Sequence, residues 1–227
     1  MHVIETINLQ KRYQIGDNSV HAVDGIDLKV GEGEFVCISG RSGSGKSTLL
    51  SLLAGLESPT GGEVKLLGEH LEAMNERERG RFRRDHIGFI FQAYNLLPQF
   101  NAWENVAVPL EIRGVPLQER KEKAMEALEM VGLSDHAEHR PTEMSGGQQQ
   151  RISIARAIIT RPGIIFADEP TGNLDSRTGT EIMDLLTKLF RKWGATFLVV
   201  SHDEDMHRYT DREVRLKDGK IEKILVS

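Results

Sequence analysis

Apolar and polar positions alternate along Val3-Ile4-Glu5-Thr6-Ile7-Asn8-Leu9 and again from Val23 to Val30, where Ile26 and Leu28 point inward. This period of two predicts a pair of half-buried strands. Gly16-Asp17-Asn18 and Gly31-Glu32-Gly33 mark turns. Tyr13 falls between the two strands and either packs in the core or offers its ring to a purine. The pattern then changes to unbroken apolar runs: Phe35-Val36-Cys37-Ile38, Ile87-Gly88-Phe89-Ile90-Phe91, Gly163-Ile164-Ile165-Phe166-Ala167 and Thr196 to Ser201. Such runs read as buried core strands. A shorter strand, Glu63 to Gly68, follows the turn Pro59-Thr60-Gly61-Gly62.

Helical spacing appears between these runs. Leu49, Leu50, Leu52, Leu53 and Ala54 predict a helix directly after the first core strand, and the polar stretch 71–84 predicts another. From about Ala93 to Ile159 the pattern is helical, with Ala124, Ala127, Leu128 and Val131 at i, i+3, i+4, i+7 and Gly132 as the stop. Residues 178–193 form the strongest amphipathic helix, with Ile182, Leu185, Leu186, Leu189, Phe190 and Trp193 on one face and Gly194 at its end. A hairpin closes the chain: Glu213 to Leu216, turn Asp218-Gly219, Lys220 to Val226. The expected fold class is α/β in one domain over 1–227. Residues 1–92 and 160–227 make a core plus an N-terminal β-subdomain, and 93–159 make an inserted α-helical subdomain.

Composition narrows this picture. A chain of 227 residues with 39% hydrophobic and 28% charged content suits a globular fold of this size. No apolar run approaches the roughly 20 residues of a membrane helix, and the first residues lack a signal-peptide pattern. The expected location is therefore cytoplasmic. The single cysteine, Cys37, sits in a core strand, where it acts as a small hydrophobe. A net charge of −5 argues against a nucleic-acid surface. Arg77, Arg79, Arg81, Arg83 and Arg84 form a basic cluster, but Glu76 and Glu78 are interleaved, so a solvated helix face is the preferred reading.

The chemistry centres on Gly40-Arg41-Ser42-Gly43-Ser44-Gly45-Lys46-Ser47-Thr48. It fits G-x-x-x-x-G-K-[ST] and stands between a predicted strand and a predicted helix, the context this phosphate-binding loop requires. Glycines let the backbone curl so that its N–H groups converge on phosphate oxygens, and the helix N-terminus adds partial positive charge. Lys46 is expected to reach the β- and γ-phosphates and the Ser47 hydroxyl to ligand Mg²⁺. Asp168 and Glu169 end the third apolar run. Two adjacent acids there read either as a plain strand-to-loop transition or, as the phosphate loop upstream favours, as a site in which Asp168 is expected to hold Mg²⁺ through water and Glu169 to polarise an attacking water. Gln92, after the second run, either carries its amide into the nucleotide site or is a surface loop residue. His202, after the fourth run, either hydrogen-bonds the γ-phosphate or is structural. Ser145-Gly146-Gly147-Gln148 opens a helix of about 149–160 and suits either a phosphate or an ordinary N-cap at Ser145. His136 and His139 lack the further ligands of a metal site and read as surface residues.

Taken together, the order Tyr13, P-loop, Gln92, Ser145-Gly146-Gly147-Gln148, Asp168-Glu169, Asn173-Leu174-Asp175, His202 resembles the ATP-binding subunit of ABC transporters over nearly the whole chain. The resemblance implies a P-loop NTPase (RecA-like) core that binds ATP and Mg²⁺ and hydrolyses ATP. It implies that Tyr13 stacks on adenine, and that Gln92 reaches Mg²⁺ and the attacking water and couples the site to a membrane partner. Ser145, Gly146 and Gly147, with Gln148, would bind the γ-phosphate held by a second copy; Asp175 would lie at the dimer seam; His202 would steady the γ-phosphate. The implied partners are a second ATPase copy and integral-membrane permease subunits, with the chain peripheral on the inner face of the membrane. The strings Glu169 to Gly179 and Phe91-Gln92-Ala93-Tyr94-Asn95-Leu96-Leu97-Pro98 look like the LolD/MacB group, which serves lipoprotein release, macrolide or peptide efflux and related extrusion. Two positions depart from the family: Met144 stands where leucine usual, and Ser201 where threonine is commoner. Three other readings compete. A regulatory ATPase that transmits force to a cell-envelope enzyme would share the site but not the partner. A soluble DNA-repair or translation ATPase would carry a long coiled coil or two cassettes, and a small-molecule kinase has no use for the second glycine turn.

Overall fold

The computed structural model describes residues 2–226. In chain order the elements are β1 (His2–Ile15), β2 (Asn18–Gly31), β3 (Phe35–Gly40), α1 (Lys46–Leu53), β4 (Gly61–Leu66), β5 (Glu69–His70), α2 (Glu76–His86) and β6 (Ile87–Ile90). Then come α3 (Ala102–Ile112), α4 (Leu117–Met130), α5 (Gly146–Ile158), β7 (Ile164–Asp168), α6 (Ser176–Trp193), β8 (Thr196–Val200), β9 (Arg212–Lys217) and β10 (Lys220–Val226). The chain divides into two compact units, residues 1–83 with 194–227, and residues 84–193.

The first unit holds an antiparallel sheet in the order β2-β1-β4-β5 and strands in the order β10-β9-β3-β8. On β2 every second residue from Ile26 to Val30 is buried, as a sheet with one wet face demands. Strand β1 is longer than its alternation predicts, so Tyr13 lies within it, paired with Val20, rather than between strands. Its pairing with β2 shifts register between Thr6 and Leu9, where Asn8 takes φ 47. Such a bulge inserts an extra residue and reverses which positions face inward. Ile7 is consequently 56% exposed while Leu9 is fully buried. The bulge is held by the Asp27 carboxylate, which accepts from Asn8 N–H at 2.7 Å.

Strand β3 pairs in parallel with both β8 and β9, and Val36, Cys37 and Ile38 have no exposed surface. Burial pushes the Cys37 thiol up to about 12, so it stays protonated and inert. Helix α1 packs against β2, β3, β4 and β8. Its apolar face meets them: Leu49, Leu50, Leu52 and Leu53 are all completely buried, while Ser47 is exposed and Thr48 and Ser51 are half-buried.

The second unit is mainly helical, with β6 and β7 paired in parallel. Helix α3 opens with a capping box: Asn101 Oδ1 accepts from Glu104 N–H and Glu104 Oε2 accepts from Asn101 N–H, both at 2.9 Å. The segment before it is organised around Asn105, which is fully buried and exchanges hydrogen bonds with Leu97, Phe100 and Asn101 main-chain groups. Helix α5 approaches β6 so closely that a methyl group on Gly88 would lie 2.4 Å from the Ala157 carbonyl oxygen. Of the basic cluster on α2, Arg79 and Arg83 pair with Glu76, and Arg84 pairs with Asp85.

Candidate functional site

The glycine loop between β3 and α1 is left-handed at three of its glycines, with φ 145 at Gly40, 78 at Gly43 and 97 at Gly45. Only glycine takes these angles without strain. Space confirms the requirement. A methyl group on Gly45 would sit 2.0 Å from the Ala22 carbonyl oxygen, and one on Gly40 would sit 2.4 Å from that of Leu216. The turn between β9 and β10 braces the loop, because Gly219 N–H donates to the Ser44 carbonyl at 3.1 Å and its own carbonyl accepts from Asp24 N–H at 2.8 Å. The importance of this C-terminal turn was not readable from the sequence, since its partners lie about 175 or more residues away.

Inside the loop, Lys46 is 6% exposed and its Nζ donates to the Gly40 and Arg41 carbonyls at 2.9 and 3.1 Å. The Ser44 hydroxyl is buried and has no hydrogen-bond partner. A buried polar group normally has one, so this cradle fits an anion that accepts from Ser44 and Lys46. Ser42 and Gly43 line the exposed lip, and Ser47 and Thr48 lie in the first turn of α1. Tyr13 is half-exposed, not core. Its hydroxyl donates to Glu57 Oε2 at 2.6 Å, and Lys11 Nζ stands 5.1 Å over its ring and 3.0 Å from the same carboxylate. Burial and the Glu57 bond push the Tyr13 phenol above its ordinary value. Burial acts to raise Glu57 too, but the bonds from Tyr13 and Lys11 outweigh it and hold that carboxyl low. Lys11 and Glu57 gave no signal in the sequence beyond their charge. His202 is exposed and follows β8, whose Val200 pairs with Ile38 at the end of the strand that leads into the loop.

In the second unit, Asp168 ends β7 and Glu169 follows with φ 43. Gln92 and Glu169 converge on one glycine: a methyl group on Gly172 would lie 2.8 Å from Gln92 Nε2 and 3.2 Å from Glu169 Oε2. The Gln92 carbonyl accepts from Asn173 Nδ2 at 2.9 Å. Gln150, completely buried on α5, donates to the Pro170 carbonyl at 2.6 Å and so ties that helix to the residue after Glu169. An amide on the inward face of a predicted helix was the available signal for Gln150.

Ser145 is the N-cap of α5, with a full capping box: its Oγ accepts from Gln148 N–H at 3.3 Å, and Gln148 Oε1 accepts from Ser145 N–H at 2.9 Å. Gly146 and Gly147 are the first helical residues. A methyl on Gly146 would come 3.0 Å from the Tyr94 hydroxyl oxygen, and one on Gly147 2.6 Å from Thr178 Cγ2. Asp175 is exposed at the start of α6; its Oδ1 accepts from Thr178 N–H at 3.0 Å and its Oδ2 from the Thr178 hydroxyl at 2.6 Å. Those bonds hold its carboxyl below the ordinary aspartate range. The His136 and His139 rings lie tilted at 41° with centroids 5.1 Å apart, and His136 Nε2 meets the Gln148 side chain at 3.1 Å.

The profile of the ABC transporter family matches residues 23–172. An ABC transporter ATP-binding protein of Thermotoga maritima, itself uncharacterised, is 49% identical over 222 residues, covering 98% of this chain and 94% of that one. The lipoprotein-releasing system ATP-binding protein LolD of Pseudomonas fluorescens is 46% identical over 219 residues, covering 96% of each. Among solved structures, a dimeric post-hydrolysis state of the ATP-binding cassette MJ0796 bound to ADP and Pi superposes with a TM-score of 0.92 at 43% identity, covering 98% of both chains.

Proposed function

The chain belongs to the ABC transporter ATP-binding family and is an ATPase of that type, and on that premise we propose that it powers extrusion by ATP-dependent closure of a pair of copies. The observation that carries the chemical part is the convergence of Gln92 and Glu169 on Gly172, because one group that orients water and one that polarises it must act on the same molecule.

In this reading Gly40 to Thr48 cradle the triphosphate of ATP. Lys46 neutralises the β- and γ-oxygens, and Tyr13 stacks on the adenine. The oxygen donors of Ser47, Gln92 and Asp168 are the hard-ligand set that suits Mg²⁺ and would hold it. When bound, the ion neutralises charge on the phosphates. Glu169 takes a proton from the attacking water, Gln92 orients that water, and His202 steadies the γ-phosphate. In the Ser145-Gly146-Gly147-Gln148 turn the capping box occupies the Ser145 and Gln148 N–H groups, so the N–H groups of Gly146 and Gly147 and the Ser145 and Gln148 side chains serve the γ-phosphate carried by the second copy, and Asp175 lies at the seam. Closure therefore depends on ATP, and hydrolysis reopens the pair. No helix among the described residues is long and apolar enough to cross a membrane. The chain then acts as the cytoplasmic partner of separate integral-membrane permease subunits, peripheral on the inner face, with no nucleic acid involved. The extruded substrate is of the lipoprotein, macrolide or peptide type.

Glu169→Gln tests this reading. It is expected to retain ATP binding, lose turnover and accumulate as an ATP-stabilised dimer by light scattering. A variant that still turns over ATP at the wild-type rate, or that stays monomeric with saturating ATP and its co-purified membrane subunits present, overturns it.

A further inference from the structure

The segment after Gln92 is held by a residue far along the chain. Tyr94 and Asn95 are consecutive non-glycine residues with φ 60 and 50. A single such residue is uncommon and two in a row need external support. Their carbonyls accept from one guanidinium: Arg156 Nη2 donates to the Tyr94 oxygen and Nη1 to the Asn95 oxygen, both at 2.7 Å. A planar fork with donors on both arms suits two adjacent oxygens, whereas a lysine offers only a point charge. Burial pushes the Arg156 guanidinium down to about 10, which still leaves it charged at neutral pH.

Arg156 sits on α5, the helix that begins at Gly146. The Tyr94 hydroxyl lies against Gly146 at the other end of that helix. The segment 92–95 is thus bonded to α5 through Arg156 and lies close to its first residue through the Tyr94 side chain, and Asn173 Nδ2 donates to the Gln92 carbonyl at 2.9 Å. We propose that Arg156 is a positioning residue for Gln92, fixing it by clamping the Tyr94 and Asn95 carbonyls so that the Ser145-Gly146-Gly147 helix and Gln92 move as one body. This rests on the reading of Gln92 as the group that orients water. Its consequence is that engagement of the glycine turn by the partner copy's nucleotide sets the position of Gln92.

The test uses the full chain and two variants that weaken the clamp from opposite sides. Arg156→Lys keeps the charge and loses the fork. Asn95→Val changes an exposed side chain and penalises only the left-handed backbone. Arg156→Lys is expected to lower kcat about tenfold with ATP affinity within about twofold of wild type, and Asn95→Val to lower it about threefold. Both should raise amide hydrogen exchange in residues 92–97 without raising it in α5. In a Gln92→Ala background neither should lower kcat by more than a further factor of about two. Should Arg156→Lys fail to fold, Asn95→Val carries every readout by itself. Unchanged exchange in 92–97, or losses that multiply fully on top of Gln92→Ala, overturns the proposal. Full activity of Gln92→Ala alone instead sinks the reading of Gln92, and the exchange measurement then still decides whether Arg156 holds the segment.

Discussion

Two turns of this molecule pair serine with glycine at the start of a helix, and they use the glycines for opposite reasons. In the loop before α1, Gly40 and Gly45 are required by their own chain. Their backbones are left-handed, and a methyl on either would strike a carbonyl oxygen at 2.4 or 2.0 Å. At the start of α5, Gly146 and Gly147 have ordinary helical backbones, the cap is satisfied by its own box, and the nearest obstacles are side-chain atoms of Tyr94 and Thr178. Nothing in the main chain there calls for glycine. The first turn is fixed by its own main chain, while the second is crowded only by side chains.

That contrast can be broken most decisively with Gly45→Ala against Gly146→Ala. Gly45→Ala must displace the Ala22 carbonyl or the loop, so nucleotide affinity should fall by about 100-fold or more, as for strain at a special backbone position. Gly146→Ala should leave nucleotide affinity of the isolated chain within about twofold and weaken ATP-dependent pairing instead. Fluorescent-nucleotide titration and light scattering separate the two. Equal losses of affinity would show that both turns serve the same nucleotide in the same chain.

Gly147 allows a sharper cut. Its added methyl would crowd Thr178 Cγ2 at 2.6 Å, so Gly147→Ala should cost about 1–3 kcal/mol as overpacking. Thr178→Ser removes that methyl and keeps the hydroxyl bonded to Asp175. The double variant should therefore recover thermal stability. If activity returns with it, Gly147 is there for packing; if stability returns and activity does not, the glycine is there for the incoming phosphate.

How much of this was legible beforehand divides along the same line. The loop before α1 could be read as chemistry because its spacing, its glycines and its flanking strand and helix are local in sequence. The apolar face of α6 and the final hairpin were local too. The Ser145 turn stayed open between N-cap and phosphate site, and the structure shows why: it is a fully formed N-cap, and a cap alone does not reveal a ligand. Contacts across long separations were invisible. The Gly219 brace, the Arg156 clamp on Tyr94 and Asn95, and the Lys11-Tyr13-Glu57 group depend on partners that no periodicity reports. The bulge at Asn8 was hidden for a related reason, since alternation looks regular on paper until one inserted residue reverses it.

The cap itself gives a smaller effect. Ser145→Ala deletes one acceptor for the Gln148 N–H and should cost about 1 kcal/mol, lowering Tm by roughly 2–4 °C for a chain of this size. Ser145→Asp restores an acceptor and should recover stability, while placing negative charge where the partner's phosphate would bind. Recovered stability with abolished ATP-dependent pairing, seen by calorimetry and light scattering, would separate the capping role of the turn from its role toward the second copy. Recovery of both would mean that the turn is only a cap.

The smallest effect concerns Asp175, which caps α6 as Ser145 caps α5 but does so with a charge. Hydrogen bonds from the Thr178 hydroxyl and N–H depress its carboxyl in the folded chain relative to the unfolded one. A depressed folded value means the unfolded state binds the proton more readily, so the group's contribution is complete above the ordinary aspartate pKa of about 3.9. It fades as pH falls from there through the lower folded value. Asp175→Asn keeps an acceptor for the Thr178 N–H and removes the titration, so denaturation midpoints followed by circular dichroism should differ little at neutral pH and fall less steeply than wild type below about pH 4. A parallel acid limb in the two proteins would show that Asp175 draws no net stability from its cap, leaving its exposed carboxylate to be explained by the second copy.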